Sequence, residues 1–305
     1  MGVTLLGPQR TPTVKRVLRS LPIEGRVATV TAGWREREPD DGELNEELDG
    51  RAVNLHLFRR WLDVQERDPD FTAAYRRLRR ILDDVQETYL VRLDYALRAV
   101  DSVRHTGPEG PRRDDSVTEA IENVRELDAQ HLEAVGQIQI EFYESWLPHD
   151  RPVIAENRDD VERLMGDTGA LVITGGHLDV LLTVLHLFNI AAVLHTPVIA
   201  WSAGAIALTD RIVLFHDRAP QGPGNAEVYG RGVSVVRGIV ALPHARARLL
   251  LDDVDRMSVF ARRFAPARCV LLEGGARVDT DADGRCPPGT RILGQNGRAQ
   301  TLEAS

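Results

Sequence analysis

A chain of 305 residues, 43% of them apolar, is long enough to bury a substantial core as one large α/β domain or two smaller ones. Its 38 basic and 46 acidic side chains leave a net charge of −8, which argues against a nucleic-acid-binding surface. No long apolar centre of a signal peptide occurs in residues 1–20 and no apolar run reaches bilayer-spanning length, so a cytoplasmic protein with no membrane partner is expected.

The opening segment reads as strand, helix, strand, the order of a parallel sheet. Residues 3–6 are an apolar strand ending at Gly7-Pro8, 11–21 a helix with Val14, Val17, Leu18 and Leu21 on one side, and 25–33 a second strand with a glycine exit. The acidic, Gly/Pro-punctuated stretch 36–50 reads as an exposed loop or a weakly anchored helix start.

From 54 to 146 the pattern is helical. Asp68-Pro69 offers an N-cap followed by proline in the first turn, and Phe71, Tyr75, Leu78, Leu82, Val85, Tyr89, Leu93, Ala96, Val100 and Val103 then recur at steps of three and four. A Gly- and Pro-rich loop at 106–115 breaks this helix, and Ser116-Val-Thr-Glu119 has the capping-box form that starts another, with Ile121, Val124, Leu132, Val135, Phe142 and Trp146 as its stripe. The expected structure is a helical hairpin with a shorter helix at 55–63, either covering the sheet or pairing with a second copy as a homodimer arm. Arg76, Arg77, Arg79 and Arg80, followed by Asp83 and Asp84, read as a solvated helix face.

Strands and helices alternate again after Pro152: helix 157–165, strand 170–174, helix 178–188, strand 197–201, strand 211–215, one or two short strands in 233–241, one long helix 245–264 and strand 268–272. The tail carries short strands at 276–278 and 291–293 around the loop 279–289. The chain is thus divided into a first part of an α/β domain (1–50), an α-helical insertion (51–150) and the remainder of the α/β domain carrying the site (151–305). The expected fold is a three-layer α/β sandwich with a mostly parallel sheet plus the inserted hairpin.

The chemistry concentrates at Ala200-Trp-Ser202-Ala-Gly204, where an apolar strand gives way to a small-residue helix at one serine. A sharp strand-to-helix turn needs small neighbours at its apex and holds the hydroxyl out at the sheet's carboxyl end, the geometry of a nucleophile elbow. Upstream, Thr174-Gly175-Gly176-His177 ends one strand and opens a helix; its paired glycines let backbone amides approach a ligand, with Gly176 and Ala203 as the oxyanion donors. Asp217, fifteen positions after Ser202, ends the next strand and suits the orienting of an imidazole. His244, after Pro243 at another strand end, suits the base that a serine hydroxyl needs. His216 competes with it, and Glu273 competes with Asp217. Cys269 and Cys286, like His177, His186 and His195, lie in no metal-type spacing, so reduced thiols, no metal and no cofactor are expected.

Taken in order, Gly175-Gly176, Trp201-Ser202-Ala203-Gly204-Ala205, Asp217, Pro243-His244 and Leu272-Glu273-Gly274-Gly275 resemble the serine peptidase family that includes α-aspartyl dipeptidase and cyanophycinase. The resemblance covers about 170–297 well and 3–32 weakly. It implies a flavodoxin-like sheet similar to that of class I glutamine amidotransferases. It also implies Ser202 as nucleophile, His244 as base, Asp217 as orienting acid and the Gly176 and Ala203 amides as oxyanion site. Thr174 and His177 stand where the family often has a third glycine and an asparagine, and Leu-Glu-Gly-Gly replaces the dipeptidases' Pro-Glu-Gly-Asn. The implied activity is hydrolysis of a small peptide or isopeptide amide, aspartyl-containing in the family, with Arg237, Arg246 and Arg248 as candidate recognition residues. The rival expectation is a non-catalytic binding or scaffold protein that dimerises through the insertion.

Overall fold

The computed structural model describes residues 2–10, 12–218 and 224–303. Short runs rich in Val, Ile and Ala become buried strands, where branched side chains pack on the pleat. Through the first part of the chain β1 (Val3–Leu6), α1 (Val14–Ser20), β2 (Arg26–Val30), α2 (Gly42–Glu47) and β3 (Ala52–Asn54) follow one another. The expected start of the first helix, Thr11, lies outside the described residues. Next come α3 (Leu57–Arg67), α4 (Pro69–Arg104), α5 (Pro111–Ser145) and α6 (Pro152–Gly166). Alternation then resumes with β4 (Thr168–Ile173), α7 (Leu178–Leu187), β5 (Val198–Trp201), α8 (Ala203–Ala207), β6 (Ile212–Leu214) and β7 (Glu227–Gly230). The chain closes with β8 (Ile239–Pro243), α9 (Ala245–Arg248), α10 (Val254–Phe264), β9 (Arg268–Leu272), β10 (Arg277–Thr280), β11 (Arg291–Leu293) and β12 (Ala299–Thr301).

The central sheet has the order β10-β1-β5-β4-β2-β3, parallel throughout except for the edge strand β10. Strand side chains alternate between faces, and here the alternate residues enter two different cores. Leu5, Ala28, Leu171, Ile173 and Ala200 join α6 and α7, whereas Leu6, Val27, Val172, Ile199 and Trp201 join α1 and α2. Helices therefore cover both faces. Apart from β10, the late strands do not extend this sheet: β8 and β9 pair in parallel and, with β11 and β12, make a second four-stranded sheet, while β6 and β7 form a two-stranded ribbon. Because β3 pairs with β2, residues 52–54 belong to the central sheet and not to the helical insertion.

The stretch 36–50 is more ordered than its composition indicates. Glu38 is buried, and its carboxylate accepts from the amides of Phe58 and Arg59 at 2.9 Å each, capping α3; Leu44 and Leu48 are buried beside it. A carboxylate on a helix N-terminus meets orphan amides and the positive end of the dipole, so one acid fastens the whole segment.

The hairpin forms as expected but starts its second helix early. Asp68 caps α4 through the Phe71 amide at 3.1 Å and also pairs with Arg151. Gly110, at φ 150, followed by Pro111 at the first helical position, opens α5 ahead of Ser116. The expected capping box is therefore mid-helix, and the Ser116 and Thr118 hydroxyls donate back to the carbonyls of Arg112 and Asp114.

Two polar clusters bind the hairpin to the rest of the molecule. Arg263 of α10 and Asp128 of α5 are each about 97–98% buried and joined by two contacts of 2.7 Å. The Tyr89 hydroxyl donates to Asp128 at 2.8 Å and accepts from the Val228 amide, and Arg263 also donates to the Ala226 carbonyl. Around them Leu93, Val100, Ile121 and Val124 share one core with Phe215, Val228, Phe260 and Leu271. Further along α4, Arg79 donates to the Tyr229 hydroxyl at 2.8 Å and lies 2.9 Å from Asp179 in the first turn of α7. It is not part of a solvated face.

The single helix expected at 245–264 is two helices. Asp217 accepts from the Leu250 amide at 3.1 Å, and Asp253 accepts from the Arg256 amide at 3.0 Å, so side chains supply a stop and a new start.

Candidate active site

Parallel register brings the chemistry to one edge. Ile173 of β4 stands beside Ala200 of β5, so the Gly175-Gly176 loop leaves its strand next to Ser202. Ser202 has φ 52 and ψ −123, a backbone region that costs a non-glycine residue about 1–3 kcal/mol and persists only where its surroundings enforce it. Gly204 does much of the enforcing. A Cβ there would lie 2.6 Å from the carbonyl oxygens of both Ile173 and Thr174, so only glycine lets α8 turn this tightly onto β4.

The glycine loop packs against the serine itself. A Cβ on Gly175 would come within 2.8 Å of Ser202 Cβ, and one on Gly176, at φ 117, within 2.3 Å of the Gly33 carbonyl oxygen. Gly33, at the exit of β2, closes the cradle by accepting from the His177 amide at 2.7 Å. Among the described residues the Gly176 amide makes no hydrogen bond, and Ala203 begins a helix whose first amides have no intrahelical partner. Arg35, two residues beyond Gly33, occupies the same strained backbone region as Ser202, with φ 58 and ψ −123.

His244 leaves β8 one residue beyond the Pro243↔Leu272 pair, in left-handed conformation, with its amide donating to the Leu272 carbonyl at 3.2 Å. That places its Nε2 3.4 Å from Ser202 Oγ. Burial pushes the imidazole below the ordinary value of 6.5; the positive fields of Arg248 and Arg10 lower it further, and Glu273 partly opposes them. The ring is thus neutral around pH 7, the form that accepts a proton.

The two candidate acids are placed differently. Glu273 leaves β9 beside His244 and accepts from the Arg246 amide at 2.6 Å. Asp217 is 3% exposed, and both its oxygens are engaged, one by the Leu250 amide and the other by Arg256 at 2.8 Å. The structure therefore brings together Ser202, His244, Gly175, Gly176, Ala203 and Glu273, while the Asp217 carboxylate serves the α9–α10 turn. His216 is exposed. Of the recognition candidates, Arg248 acts on His244, whereas Arg237 precedes β8 at the end opposite His244. Two participants were not singled out from sequence, Gly33 and Arg10. Gly33 was signalled by the glycine exit of a strand that pairs with β4; Arg10 had no signal.

Cys269 is buried and both cysteines are free thiols. Among the described residues there is no cluster of three or more His, Cys, Asp or Glu side chains able to hold a metal, and no helix is long and apolar enough to cross a membrane.

The fold and site together define an α/β protein that presents a strained serine to a histidine beside a glycine cradle. No protein-family model and no curated protein matches the chain. Among solved structures it is similar to the crystal structure of a peptidase from an acI-B1 Actinobacterium, at 11% identity and a TM-score of 0.46, over 99% of this chain and 94% of that one.

Proposed function

We propose that the protein is a serine hydrolase of the peptidase type that cleaves a peptide or isopeptide amide through an acyl-enzyme on Ser202. The observation that carries this reading is a serine held at φ 52, ψ −123 with its hydroxyl 3.4 Å from a histidine whose surroundings keep it neutral. The spacing is at the long end of hydrogen-bond reach and tightens as substrate engages. Strain of this kind costs stability, and at Ser202 it coincides with the histidine and the glycine cradle.

In the proposed reaction Ser202 Oγ attacks the amide carbonyl while His244 Nε2 takes the hydroxyl proton. The oxyanion meets the Gly176 and Ala203 amides; the C–N bond then breaks as His244 returns the proton to the departing amine. Water, deprotonated by the same ring, attacks the acyl ester and releases the acid and Ser202. Glu273 is the acid that steadies the imidazolium, supported by its adjacency to His244 and by the engagement of Asp217 elsewhere. Arg248 and Arg10 surround the imidazole with positive charge, which supports a substrate bearing a carboxylate near the scissile bond, as an aspartyl peptide does.

A second reading has its own support. Asp217 is tied to Arg256, and α4 exposes Ile81, Val91 and Tyr95, as a scaffold that pairs through its hairpin would. Labelling with a fluorophosphonate separates the two. The hydrolase is labelled once, in the peptide containing Ser202, and Ser202→Ala is not; a folded wild-type chain that stays unlabelled is the scaffold.

A further inference from the structure

The hairpin walls a cleft of about 520 Å³, open to solvent on one side, where α4 and α5 meet α7 and the end of β7. That volume falls within the range of small-molecule sites. Its wall includes Leu78, Leu82, Val135 and Leu182, an apolar lining from three helices.

The polar groups in it are unevenly satisfied. Arg79 is shared by Asp179 and Asp83, at 2.9 and 3.8 Å, so its charge is already committed. Arg231 differs. Half-exposed at the cavity's mouth, it crosses α5 at Gly136, where a Cβ would stand 3.2 Å from its Nε, and among the described residues its one acidic contact, Glu133, is at 3.6 Å. Gln139 and Tyr143, one turn apart on the cavity face of α5, make no side-chain hydrogen bond among the described residues, and burial pushes the Tyr143 phenol up, so it stays a neutral donor. The remaining wall acid, Glu144, is eight residues from Gly136, about 12 Å along the helix, and so at the far end from the guanidinium.

We propose that this cavity binds an amphipathic organic carboxylate, its apolar body against Leu78, Leu82, Val135 and Leu182 and its carboxylate on Arg231. A planar carboxylate matches the guanidinium fork that Glu133 leaves largely free, and the Gln139 amide, three residues along α5 from Gly136, supplies a donor beside it. On this view the inserted hairpin makes a ligand site separate from Ser202. The proposal is independent of the hydrolase reading, since no part of it involves Ser202.

The test is calorimetric titration of the whole chain with octanoate, and with 1-octanol as the same body without charge. Saturable 1:1 binding of octanoate is expected, about tenfold or more tighter than that of octanol. Arg231→Ala should erase the difference between the two probes. Leu182→Trp and, from the opposite wall, Leu82→Trp fill the cavity and should abolish both titrations, while Ser202→Ala should bind as wild type. Absence of saturable octanoate binding up to about 10 mM, a limit set by millimolar dissociation constants, would overturn the proposal. So would undiminished octanoate binding in Arg231→Ala or in whichever filled variant folds.

Discussion

At Ser202 the chain accepts a conformation that most residues avoid, and the strain gives the first prediction. Ser202→Gly should raise stability by about 1 kcal/mol in chemical denaturation, because glycine adopts this backbone freely, and should abolish fluorophosphonate labelling. Gly204→Ala should act in the opposite direction, since its Cβ would meet two carbonyl oxygens at 2.6 Å; a loss of about 1–3 kcal/mol is expected. The imidazole yields a pH prediction. Its neutral form is the active one, so the rate should rise with pH through a midpoint below 6.5. Arg248→Ala removes a positive field and should move that midpoint up, whereas Glu273→Gln removes a negative one and should move it down. The serine and histidine were legible in sequence because each ends an apolar strand in a motif whose spacing has a mechanical meaning. The surroundings of the two acids were not, because the sequence put Asp217 ahead of Glu273 and only the fold shows Arg256 holding the former and the latter leaving β9 beside His244.

Among the elements, the paired charges between α5 and α10 matter most to how the hairpin is held. Asp128→Ala leaves the Arg263 guanidinium buried without its acid, and should cost about 3–5 kcal/mol; the double change Asp128→Leu with Arg263→Met should recover most of that loss, as apolar replacement of a buried pair does elsewhere. Equilibrium urea unfolding of the three chains checks both statements. The long stripe of α4 could be read residue by residue, because a 36-residue helix repeats its signal many times. Boundaries were harder. The break between α9 and α10 depends on the Asp217 carboxylate, which is remote in sequence, and the early start of α5 rests on Gly110-Pro111 outcompeting a capping box five residues later. The segment after Gly33 was misjudged for a related reason: its hydrophilic composition conceals Glu38, an acid buried as the cap of a helix that begins far beyond it.

For the molecule as a whole, the helical hairpin packs into a core common to the late strands and α10, where Tyr89, Leu93 and Ile121 join Phe215, Phe260 and Leu271. A single unfolding transition is expected by calorimetry, and excision of 70–145 should expose that core and leave the remainder unfolded; two separated transitions would show an independent arm. The overall plan of a parallel sheet interrupted by a helical hairpin followed from pattern alone, but the second sheet built by β8, β9, β11 and β12 did not, because strand partners are chosen by tertiary contact and not by local sequence. The account centres on whether the histidine activates the serine. The most direct measurement is the rate at which a fluorophosphonate labels Ser202 across pH, in the wild type and in His244→Ala. The account predicts a sigmoidal rise with a midpoint below 6.5 that disappears with the imidazole; equal labelling rates in the two chains at every pH would contradict it.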